Sequence, residues 1–137
     1  MQILMPAIAL VAVTFVVWLG MYFTRLRHMR INRIAPNDLG TRERAAKLLE
    51  PVSGPSDNLR NLFELPVLFY LLIVLLFDTG HATSGFVSAA WAFVALRTIH
   101  SAIHCTYNDV MHRFTVYVMS SLVLWGMWIV FAVRLLG

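Results

Sequence analysis

The sequence predicts an all-α membrane protein, a four-helix up-down bundle folded as one unit over residues 1–137. Three observations lead there. The chain is 59% hydrophobic and only 13% charged, where a soluble domain carries about 25% charged residues. Its apolar residues gather into four long stretches, with a mean hydropathy of +0.72 for the whole chain. Seven of its eleven basic residues fall between Arg25 and Lys47, in one connection between two of those stretches.

The first stretch runs from Ile3 to Phe23 and predicts a helix over about residues 2–28. It lacks a basic leader, and it exceeds the roughly 7–15 apolar residues of a signal peptide, so it reads as a retained span. The second stretch, Leu62–Phe77, reaches the ~20 residues that cross ~30 Å of hydrocarbon only by including Asn58–Asn61. It predicts a helix over about 57–78. The third, Ser84–Ile103, ends in Arg97 and His100 and predicts a helix over about 83–107. The fourth, Phe114–Leu136, predicts one over about 111–136.

The connection over about 29–56 is the only long one and holds Pro36, Pro51, Gly54 and Pro55. Within it Thr41–Leu49 is compatible with a short interfacial helix, although Arg44 stands where a capping box places Glu or Gln. The other two connections, Asp78–Ala82 and the turn around Asn108-Asp109, are short and demand antiparallel neighbours. The positive-inside rule puts the Arg-rich connection and the Asn108 turn in the cytoplasm, with both termini on the other side. The expected location is the cell inner membrane. The same charge placement argues against nucleic acid as the partner, despite a net charge of +4. A single cysteine, Cys105, allows neither an intrachain disulfide nor a Cys-based metal framework, and it reads as a buried, inert thiol.

Ionisable groups in membrane helices each cost about 2.5–3.5 kcal/mol at the bilayer centre, so they persist when paired, near the interface, or when they bind something. In the second helix Arg60, Asn61 and Glu64 share a face at spacings of three and four, with Asp57 a turn earlier. Arg60 and Glu64 could simply pair, or Glu64 could hold an Arg from another helix. In the third helix Arg97, His100, His104 and Tyr107 form a polar stripe at spacings of three, four and three. It reads either as snorkelling rim groups or as a site wall. A metal reading of His100 and His104 lacks an obvious third ligand. Arg113 opens the fourth helix, where free N–H groups already favour an anion, with Tyr117 one turn on. Arg25 and Arg27 end the first helix as interface anchors. Together these groups predict an Arg-rich zone at the cytoplasmic end, suited to an anionic ligand with an apolar companion in the lipid.

The pattern Arg60-Asn-Leu-Phe-Glu64-Leu-Pro66, followed by Arg97-x-x-His100 and Arg113-x-x-x-Tyr117, resembles the MAPEG family, membrane-associated proteins of eicosanoid and glutathione metabolism. Thr24–Arg27 and Pro36-Asn37-Asp38 add to the likeness, which spans nearly the whole chain. The resemblance implies a homotrimer binding glutathione as co-substrate between subunits, and a lipophilic small molecule arriving from the bilayer. It implies a transferase or peroxidase in which Arg113 stabilises the thiolate with Asp38 in support. Arg60, Asn61, Glu64, Arg97, His100 and Tyr117 would bind glutathione, with Arg25 contributed by a neighbouring subunit. The chain departs from the pattern at three places: Asp57 stands where many members have Arg, His104 where a Tyr is common, and Phe114 where one branch has Ser. Two other functions fit the residues. One is a non-catalytic lipid-binding scaffold, which the family includes. The other is a proton-coupled transporter built on Glu64.

Overall fold

A computed structural model describes residues 1–137. The chain is helical throughout, with no strand, and four helical segments are long and apolar enough to cross a membrane. The first is α1 (Leu4–Ile31), which runs about a turn past its predicted end. Long Arg side chains do not interrupt a helix, and the stop comes from Asn32. Its backbone N–H and its Nδ2 both donate to the His28 carbonyl, at 3.0 and 2.9 Å, and Arg33 then turns the chain at φ 53°.

The long connection is structured. Asp38 accepts from the Ala35 amide at 2.8 Å and closes a 3₁₀ turn over Pro36–Leu39. Next comes α2 (Arg42–Leu49), whose N-cap is Thr41: its Oγ1 accepts from the Arg44 amide at 3.3 Å. A Thr cap alone suffices here, without a reciprocal Glu. The His28 Nε2–H donates to the Leu48 carbonyl at 3.0 Å and ties α2 to the end of α1.

The second span is not one helix. It is α3 (Gly54–Leu62) followed by α4 (Leu65–Asp78), with the break at Phe63-Glu64. Pro66 causes it, because proline has no amide to give the Leu62 carbonyl and its ring crowds that turn. The Phe63 amide closes α3 in 3₁₀ fashion onto Arg60. Gly54 starts α3 at a close crossing, where a Cβ would lie 2.9 Å from the His104 carbonyl oxygen. The third and fourth spans are α5 (Ser84–Cys105) and α6 (Val110–Leu136). Asn108 joins them in the left-handed region at φ 53°, which Asn tolerates better than most residues. Asp109 then caps α6, accepting from the His112 amide at 2.8 Å.

Packing makes α5 the central helix, against α1, α3 and α6. Its most apolar window is 44% buried, where those of α1 and α6 are 22% buried, so the outer helices turn apolar surface outward. Phe15, Phe23, Val74, Leu122, Ile129 and Val133 are all exposed. In water such faces would aggregate; in a bilayer they meet lipid or another protein surface. Inside, Phe69 of α4 stacks on Phe93 of α5 with centroids 4.6 Å apart, among Leu72, Leu76, Leu124 and Phe131. This apolar core fills the half of the bundle away from the Arg-rich connection. The polar side chains of α5 occupy the other half.

Candidate functional site

The break in the second span supplies the first part of the site. In an unbroken helix the Asn61 carbonyl would accept from the Leu65 amide. Here that bond is absent, and the Arg97 Nη2 donates to Asn61 O instead. The Arg97 side chain is fully buried, with its Cζ 5.3 Å from the centroid of the Tyr117 ring. Its Nε and Nη1 are buried and have no hydrogen-bond partner. The only ion pairs in the chain are Arg60–Asp57 and His112–Asp109, so this buried cation has no carboxylate within ion-pair distance. Buried charge without a counter-ion is costly, and buried donors without acceptors are uncommon.

His100 lies one turn on and is buried beside Arg97. Its Nδ1–H donates to the Arg113 carbonyl at 3.2 Å, and a carbonyl only accepts, so Nε2 is left as a bare acceptor. That Nε2 is buried and unpartnered. The ring lies 5.8 Å from that of Tyr117 and 5.7 Å from that of His104. Arg113 reaches over His104, with Nη1 3.4 Å from each ring nitrogen, and the same Nη1 donates to Asn108 Oδ1. The Asn108 turn thus holds the guanidinium in place as well as reversing the chain. Asn61, His100, His104, Arg113, Phe114 and Tyr117 border one opening of about 190 Å³.

Other predicted residues stand apart. Arg60 is exposed and pairs with Asp57 at 3.8 Å, three residues back and not with Glu64. Glu64 is exposed at the helix break and holds no Arg of this chain. The shared face expected of Arg60, Asn61 and Glu64 is therefore interrupted, because Pro66 changes the helix direction between them. Asp38 spends its carboxylate on the Ala35 amide, away from Arg113. Arg25 is partly buried on α1, with its Nε unpartnered.

Two polar residues that spacing did not single out link α3 to α5. Asn58 is fully buried; its Oδ1 accepts from Ser101 at 3.3 Å, and its Nδ2 donates to Cys105 Sγ at 3.6 Å. The available signal was the run Arg97, Ser101, Cys105 at four-residue spacing, a second stripe beside the first. Cys105 is exposed, not buried as expected. It sits at one end of a groove of about 510 Å³ between α1 and α5, lined by small and apolar residues such as Ala12, Val16, Gly20 and Ala102.

The fold and this cluster define a polytopic membrane protein with an unneutralised cationic pocket at one end of its bundle. The MAPEG family model matches residues 3–133, and the chain belongs to the MAPEG family. That membership supports a glutathione-related membrane role of the transferase or peroxidase kind in general terms. No curated protein and no solved structure matches the chain significantly. At the opening the Arg113 guanidinium suits a carboxylate or thiolate, while Arg97 lies behind the lining, fully buried with its Nε and Nη1 donors unpartnered. The opening is smaller than the roughly 300 Å³ at which ligand pockets begin, so a single chain encloses part of a tripeptide at most.

Proposed function

We propose that the protein is a glutathione-dependent transferase or peroxidase acting on lipophilic electrophiles, assembled as a homotrimer with glutathione held between subunits. The observation that carries the reading is Arg97, a fully buried guanidinium with two free donors and no ion-pair partner. In this reading Arg97, Asn61, His100 and Tyr117 take a carboxylate of glutathione. Arg25, Arg60 and Glu64 contribute from the subunit boundary. Arg113 holds the thiolate, and Asp38 supports it from the long connection. The basic connection faces the cytoplasm in the inner membrane, and both termini face the other side.

The chemistry asked of Arg113 is modest. A free thiol with a pKa near 8.5 is mostly protonated at pH 7. Lowering it by about two units takes about 2.7 kcal/mol of preferential thiolate stabilisation. One guanidinium near a helix N-terminus in a partly dry site is of that order. With a chlorinated nitroaromatic, the sulfur–carbon bond forms as chloride leaves and the thiol proton passes to water. Arg113→Ala is expected to lower this conjugation rate about a hundredfold in purified, folded protein; an unchanged rate would remove Arg113 from the mechanism. Calorimetry with glutathione provides the accompanying binding measurement.

The pairing of Asp57 with Arg60 favours a second reading. It brings an acid close to where glutathione carboxylates would sit, as a lipid-binding scaffold without catalysis would tolerate. Fatty-acid binding with no heat from millimolar glutathione would select the scaffold.

A further inference from the structure

The Arg-rich connection holds a second charged cleft, separate from the cluster of α3, α5 and α6. It has a volume of about 510 Å³ and is bordered by Asn32, Arg33, Asp38, Arg44 and Lys47, with Ile34 and Leu48 behind. Three cations therefore face one carboxylate. None of the three is in an ion pair, and the carboxylate of Asp38 is already accepting from the Ala35 amide. The cleft is built, not incidental. Arg33 enters it from a left-handed turn at φ 53°, and Arg44 and Lys47 lie three apart on α2 and share a face. The His28–Leu48 hydrogen bond fixes α2 against α1.

Its position identifies the ligand. Asn32 caps the end of a membrane-spanning helix, so the cleft lies at the height of the lipid headgroups. Phe23 and Leu26 are exposed on α1 below it, where acyl chains would lie, and exposed Arg27 and Arg30 follow at the headgroup end. We propose that this cleft is a headgroup site for an anionic phospholipid, whose phosphate is held by Arg33, Arg44 and Lys47. It uses fixed geometry to take what a diffuse basic loop would attract only by field. No residue of the 190 Å³ opening borders the cleft; Asp38 is the one residue the two readings share, and the test leaves it unchanged.

The test uses the purified full chain in phosphatidylcholine nanodiscs doped with phosphatidylglycerol, followed by native mass spectrometry of retained lipid. Wild type is expected to retain phosphatidylglycerol preferentially. Each neutralised cation should cost about fivefold, so Arg44→Gln with Lys47→Gln loses the preference. Arg134→Gln, at the other end of the bundle, keeps it, and glutathione calorimetry of the double variant matches wild type. Equal lipid retention in wild type and the double variant overturns the proposal, as does equal loss in Arg134→Gln. Displacement of the lipid by inorganic phosphate or by glutathione at constant ionic strength also overturns it, since the cleft would then be a site for soluble anions.

Discussion

Two arginines, one at each end of the bundle, sit over aromatic rings in nearly the same geometry. Arg97 Cζ lies 5.3 Å from the Tyr117 centroid, and Arg134 Cζ lies 5.4 Å from that of Phe86. The pairwise contact is the same, and the surroundings are opposite. Arg134 is exposed in the last turn of α6, where a cation also meets the favourable end of the helix dipole. Arg97 is fully buried, with one carbonyl partner and two free donors. A cation over a ring is thus no mark of function by itself. Burial without a counter-ion is what separates the two.

Replacing each arginine breaks the comparison most sharply. Arg97→Met keeps an unbranched apolar stem in part of the space and removes the buried charge. Glutathione affinity is expected to fall at least about tenfold, the loss of one or two charge-assisted hydrogen bonds at about 1.5–3 kcal/mol each. The melting temperature of ligand-free protein in detergent should hold or rise, since an apolar replacement of buried charge is often neutral or stabilising. If the melting temperature falls in step with affinity, Arg97 is a structural strut.

The two ends also differ in how closely helices approach. A Cβ on Gly54 would meet the His104 carbonyl at 2.9 Å, whereas one on Gly126 would meet nothing within 4 Å. Gly54→Ala must push α3 away from the part of α5 that carries His104, at a cost of about 1–3 kcal/mol. Gly126→Ala should be neutral or slightly stabilising, because alanine is the better helix former. Thermal unfolding of the two variants side by side checks this, and equal melting temperatures would mean the Gly54 crossing relaxes freely.

Pro66→Ala probes the device that anchors Arg97. Alanine lets α3 and α4 join, and the Leu65 amide can reclaim the Asn61 carbonyl. Loss of that one hydrogen bond, at about 0.5–1.5 kcal/mol, predicts glutathione affinity weaker by about threefold to tenfold in a protein at least as stable. Titration calorimetry and a thermal melt on the same sample separate the two effects, and undiminished affinity would show that the carbonyl is dispensable.

The four spans were legible because hydrophobic length is a local property of the sequence. So was the stripe through Arg97, His100 and His104, which needs only helical periodicity. Asn61 and Glu64 looked like neighbours on one face because the second span was read as continuous. Pro66 was in plain view, but which carbonyl it frees, and what takes that carbonyl, depends on a side chain 36 residues away. Asn58 and Ser101 were hidden for the same reason, since their bond joins two helices far apart in sequence. Asp38 lies in a segment without periodicity, where nothing in the spacing indicates that its carboxylate turns back to Ala35.

Arg134→Gln is the smallest expected change and the control on which the comparison rests. The substitution removes the charge and keeps part of the stem that covers Phe86. An exposed cation–ring contact is worth about 0.5–1 kcal/mol, and an exposed charge at a helix C-terminus about 0.3–1 kcal/mol. Both are offset in part, because the guanidinium already trades with water. The melting temperature should therefore fall by little, and glutathione binding should not change, since no residue of the 190 Å³ opening touches that end. A fall in affinity comparable to that of Arg97→Met would mean that charge anywhere on the bundle controls binding, and the distinction drawn from burial would fail.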